Sequence, residues 1–152
     1  MKHNHGSQQY NRRESNIKLP IAFFADEKKT ILRPSLLSDE AKKLSDFFVE
    51  NKKDKMSIHQ LRKYYNHILI IKQRIEVKEE KDQEIEFKRQ LPYIKMLKAQ
   101  AAYAKARGRV SKNFKTFIDE QIKEVNNLKD FNAFCDLFEA IVAFAVGDRR
   151  YK

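Results

Sequence analysis

Glycine, proline and cysteine are nearly missing from this 152-residue sequence, which holds three Gly, three Pro and one Cys. No Asn-Gly, Asp-Gly or Pro-Gly pair occurs, so the tight-turn signals of a hairpin protein are lacking, and good helix formers fill most windows. The expectation is an all-α fold. The lone Cys135 excludes an internal disulfide, and its neighbours Phe134, Leu137 and Phe138 mark it as a small buried hydrophobe. Long apolar runs are also lacking. The longest near the start, Ile21 to Ala25, is far too short to span a bilayer, and the first residues have no secretory h-region. A cytoplasmic protein with no membrane partner is expected.

Catalytic patterns are missing too: no His-Glu-x-x-His, no Cys pair, no Gly-rich phosphate loop and no Ser at an elbow motif. No enzymatic activity, cofactor or metal is expected. His3 and His5 sit without further ligands in a polar stretch, and His59 and His67 fall eight residues apart on opposing slopes of one helix. The triplets Glu76-Val77-Lys78 and Glu86-Phe87-Lys88 look like nuclease half-sites, but they lie in what reads as a solvated helix end rather than around an ion.

What the chain does have is a helical core pattern and a large positive charge. Hydrophobic residues make up 41% of it, with eleven Phe and six Tyr, enough for one well-filled core at this length. Residues 1–33 read as a flexible basic N-terminal arm and lead-in, with Ile21, Phe23 and Phe24 packing on the core, and 34–152 as a single domain, a compact five-helix bundle. The first helix is expected to start at a Ser38 cap, to bury Leu37, Ala41, Leu44, Phe47 and Phe48, and to end near Lys52. The second opens on Ser57-Ile58-His59-Gln60, a capping box, and continues through Leu61, Tyr65, Ile68 and Ile75. Glu76 to Glu86 reads as a solvated connector containing a break, followed by a third helix with Pro92 near its first turn and Gly108 past its end. Ser111 is expected to cap the fourth helix, and Asp130 the fifth, which runs to Gly147.

The formal charge of +11 makes the surface attractive to polyanions. Phe87 to Ile118 carries nine bases and no Asp or Glu, with acids concentrated on either side. On a helical wheel Lys95, Lys98, Lys105 and Arg109 share one sector, spread over about 20 Å, a reach suited to successive phosphates. A second cluster, including Lys52, Lys53, Arg62, Lys63 and Arg74, faces only Asp54 as an acid. Beside it Tyr64, His59, Asn66 and His67 offer hydrogen bonds or base stacking. An ordinary solvated helix surface is the competing account of either cluster.

Two strings carry a family resemblance: Gln60-Leu61-Arg62-Lys63-Tyr64-Tyr65-Asn66, and Leu91-Pro92-Tyr93-Ile94-Lys95-Met96-Leu97-Lys98 running on to Ala101-Ala102-Tyr103-Ala104-Lys105-Ala106-Arg107. Over roughly Ser38 to Gly147 the chain resembles the small helical subunit of type III-A CRISPR (Csm) effector complexes. The resemblance implies a non-catalytic five-helix bundle stacked in several copies along a filament-like complex, contacting guide RNA and target RNA beside other subunits. It implies backbone contacts at Arg62, Lys63, Lys95, Lys98, Lys105 and Arg107; Lys52, Lys53 and Arg109 join them on charge alone. Two other readings stay open: a helical DNA-binding regulator, since a Ser-capped helix with basic side chains also suits duplex recognition, and a basic adaptor for an acidic protein partner.

Overall fold

The computed structural model describes residues 17–148. A π-helical turn, Leu36–Glu40, leads into α1 (Ala41–Val49), followed by α2 (Ile58–Glu76), α3 (Glu80–Ala106), α4 (Lys112–Ile122) and α5 (Leu128–Gly147). The all-α expectation holds: among the described residues the sole strand-like feature is one antiparallel bridge, Phe24 to Leu32. In space the helices follow a closed order, α5 packing on α1 and α2, α2 on α3, α3 on α4, and α4 touching α1. Phenylalanine fills the ring they enclose. Phe48, Phe114, Phe117, Phe131, Phe134 and Phe138 are fully buried. Phe48 and Tyr64 each meet the Phe114 ring edge-on, with centroids 5.4 and 5.0 Å away, a geometry worth about 0.5–1.5 kcal/mol per pair beyond the area buried.

Two helix starts follow the local signals. Ser57 accepts a hydrogen bond from the Gln60 amide, and Ser111 one from the Phe114 amide, both at 3.1 Å. At the end of α3, Gly108 takes φ +69° while its amide bonds Lys105 O and the Arg109 amide bonds Ala104 O, both at 2.9 Å, closing the helix in a Schellman turn.

Four expected boundaries are corrected. The helical run begins before Ser38, at the π-turn that precedes α1, where Leu36 is fully buried and Leu37 is exposed. Glu40 fixes that turn by accepting from Ser35 Oγ and Arg33 Nη2, each at 2.7 Å. The helix ends at Val49, which leaves Lys52 and Lys53 in a loop. The third helix starts at Glu80 rather than near Pro92, and the break is confined to residues 77–79. Glu80 and Asp82 suit the positive end of its dipole, and Glu86, Phe87 and Gln90 turn inward, Glu86 accepting from Gln90 and Arg89 at 3.2 Å. Pro92 therefore lies inside α3, on an exposed side where the one carbonyl it leaves without a helical donor can be solvated. The fifth helix is capped by Asn127, whose side chain accepts from the Asp130 amide at 2.8 Å; Asp130 is buried one turn inside.

Residues 17–33 form a strap across the bundle. Ile21 and Phe23 are buried, and the fully buried Gln121 grips Ile21 from both sides, accepting from its amide at 2.9 Å and donating to its carbonyl at 2.7 Å. Lys29 pairs with the buried Asp130 at 2.8 Å. The expected arm with His3 and His5, and the basic tail from Arg149, lie outside the described residues.

Candidate nucleic-acid interface

The start of α2, the end of α3 and the start of α4 meet at one end of the bundle. Tyr64 donates its hydroxyl to Leu97 O across the α2–α3 contact, which runs antiparallel, with Lys63 near Tyr103 and Arg74 near Gln90. Asp54 in the α1–α2 loop reaches the first turn of α4, accepting from the Lys112 and Asn113 amides at 3.1 and 3.0 Å. The segments gathered there, 50–63 and 105–112, contribute Lys52, Lys53, Lys55, Arg62 and Lys63, then Lys105, Arg107, Arg109 and Lys112. Against these nine bases stand two acids, Glu50 and Asp54. Asp54 is already committed to the backbone of α4. Ion pairs among the described residues engage none of the nine.

Within this end the side chains differ in posture. Lys52, Lys53, Arg62, Lys63, Arg107 and Arg109 are exposed, and Lys105 is half-buried. Arg107 folds back over Tyr103, its guanidinium 5.4 Å from the ring centroid and donating to the Tyr103 hydroxyl at 2.6 Å, so a cation and an aromatic face are presented as one unit. Arg109 does not continue the wheel of α3: Gly108 turns the chain before it, and it lines the groove between α2 and α3.

Lys95 stands apart. Its Nζ donates to Ile122 O at 2.9 Å and Val125 O at 3.1 Å, the carbonyls at the C-terminus of α4, which its charge suits. Desolvation, with Lys98 nearby, pushes its ammonium below the usual lysine range, while Asp130 acts the other way. Lys98 and Lys105 lie two turns apart on α3, a rise of about 10 Å along one side of the helix. Other bases of the acid-free stretch are matched from outside it, Lys115 by Asp119 at 2.7 Å and Arg89 by Glu86 at 3.2 Å.

Tyr64, expected to offer stacking, is buried with its hydroxyl engaged, and burial together with Asp119 holds the phenol well above its ordinary pKa. The exposed aromatics of this region are Tyr93 and Tyr103 instead, at 50% and 62% exposure. Tyr103 falls opposite the Phe87, Ile94 and Ala101 stripe and Tyr93 about 100° to its side, phases that mark both as outward-facing. His67 lines the α2–α3 groove; His59 is exposed. Cys135 is buried, which raises its thiol pKa and suits a core role. Among the described residues no three His, Cys, Asp or Glu side chains converge to hold a metal, and no helix is long and apolar enough to cross a membrane.

The family model described as Csm2 Type III-A matches residues 32–146. No curated protein and no solved structure matches the chain.

Proposed function

Because the chain belongs to the Csm2 family, structural subunits of type III-A CRISPR effector complexes, we propose that its basic end holds RNA by the phosphate backbone within that assembly. The observation that carries the reading is the gathering of nine bases from two distant segments around two acids, one of them engaged by α4. Lysine and arginine heads in such an array neutralise successive phosphates without reading base edges, so selection of sequence is left to guide pairing. Lys52, Lys53, Arg62, Lys63, Arg107 and Arg109 make the outer contacts, with Lys98 and Lys105 extending them along α3. Lys95 supports α4 and makes no RNA contact. Guide and target RNA, other subunits and further copies of the chain are its partners. It works in the cytoplasm and adds no bond-breaking step of its own, cleavage belonging to neighbouring subunits.

Charge reversal of Arg62, Lys63, Arg107 and Arg109 in the assembled complex tests this. RNA affinity falls by more than about tenfold, with helical content and melting midpoint nearly unchanged because exposed charges contribute little stability. RNA binding equal to the parent, or insensitive to salt, would sink the reading.

A further inference from the structure

The antiparallel pair α2 and α3 leaves a surface groove made of two adjoining hollows. One, of about 410 Å³, is lined by Lys63, Ala99, Tyr103, Arg109 and Val110 among others; the next, of about 270 Å³, by Ile70, Ile71, Arg74, Tyr93 and Leu97. His67, Met96 and Gln100 line both, which makes the groove continuous. The second hollow is displaced by three to four residues along α3 and by seven along α2, so the two lie about 5–10 Å apart, one to two helical turns.

Two properties set its occupant. Four of the eight large apolar side chains left exposed in the described chain, Ile70, Tyr93, Met96 and Tyr103, stand along this groove, at 46–62% exposure. Ile and Met have nothing to offer a phosphate backbone, whereas Met, Tyr and Arg together typify protein-binding grooves. The lining also includes Lys63, Arg74 and Arg109 and no Asp or Glu. We infer that the α2–α3 groove docks an acidic amphipathic helix of another protein assembled with this one, two of whose apolar side chains, one to two turns apart, fill the two hollows.

The chain's own segments do not fit. Residues 1–16 hold Lys2, Arg12 and Arg13 against Glu14, and residues 149–152 add two Arg and a Lys, so both ends repel a basic rim. Of the other exposed large apolar residues, Ile31, Leu37, Val77 and Ile85, only Ile85 lies within one of the helices α1 to α5. No described helix therefore offers a second copy the required pair. The groove shares Lys63 and Arg109 with the basic end, so the test is placed on Ile70, Arg74 and Met96, to which the RNA reading assigns no contact.

Photocrosslinking in the assembled complex tests it, with Met96→benzoylphenylalanine in the full chain. The expected product joins this position to an acidic helical segment of another protein, mapped by peptide sequencing. Adding Ile70→Glu lowers the yield about tenfold, and Arg74→Glu, which leaves the apolar floor intact, lowers it severalfold. Circular dichroism of each variant verifies the fold. A crosslink to RNA, a crosslink to a second copy, no protein crosslink, or a yield indifferent to Ile70→Glu and Arg74→Glu overturns it.

Discussion

Lys95 and Lys98 stand one turn apart on α3, and the same side chain meets two different fates. The first is held by two carbonyls at the end of α4; no such partner draws the second inward. Lys95→Met, which keeps the stem and removes the donor, is expected to cost about 1–3 kcal/mol in urea unfolding, because both carbonyls lose a charged partner. Lys98→Met should stay within about 0.5 kcal/mol. Asp136 on α5 offers a test by pH. Burial raises its carboxyl above the ordinary value of 3.8; Lys72 counteracts, and Glu139 and Glu76 add to the rise. A raised native pKa means the folded state holds the proton more tightly than the unfolded state does. This contribution to stability is complete below 3.8 and is lost as pH climbs through the native value. Asp136→Asn should therefore raise the thermal midpoint at pH 7, with the gain shrinking toward zero near about pH 3.

At the scale of elements, the strap depends on one side chain. Gln121→Leu preserves bulk but strips both partners from the buried Ile21 backbone, so a loss of about 2–4 kcal/mol is expected, with faster proteolysis within residues 17–33. No local pattern announces this clasp, since Gln121 and Ile21 are 100 positions apart. The starts of α2 and α4 are legible in the sequence because a Ser cap and its amide partner lie within three residues. The start of α3 is not: six acids between Glu76 and Glu86 look solvated in sequence, and only packing turns Glu86, Phe87 and Gln90 inward. Asp130 resembles a cap in sequence for a similar reason. Its carboxylate serves Lys29 and the Asn126 amide, while Asn127 three residues earlier performs the capping.

For the whole molecule, charge is the most legible property, because a surplus of bases is a sum over residues and needs no fold. Which bases remain available is hidden, because the committing partners, the carbonyls of Ile122 and Val125 and the carboxylates of Asp119 and Glu86, come from other turns or other helices. Polarity along the bundle follows from topology. One end collects nine bases, while the break between α2 and α3 at the opposite end is flanked by Glu76, Glu79, Glu80 and Asp82. Replacing Lys52, Lys53, Arg107 and Arg109 with Ala should flatten the slope of log affinity for single-stranded RNA against log salt, by about 0.7 for each phosphate that is no longer neutralised. Neutralising Lys123 and Lys129, remote from that end, should leave the slope unchanged.

The reach of Asp54 to the first amides of α4 fastens the loop that carries Lys52 and Lys53. The conformational entropy of that loop is lost when the protein folds and not again when an anion arrives. Asp54 is thus an acid that favours a polyanion. Asp54→Ala makes the surface more positive by one unit, yet in a filter-binding titration it should weaken RNA binding, because two lysines must then be ordered at the moment of contact.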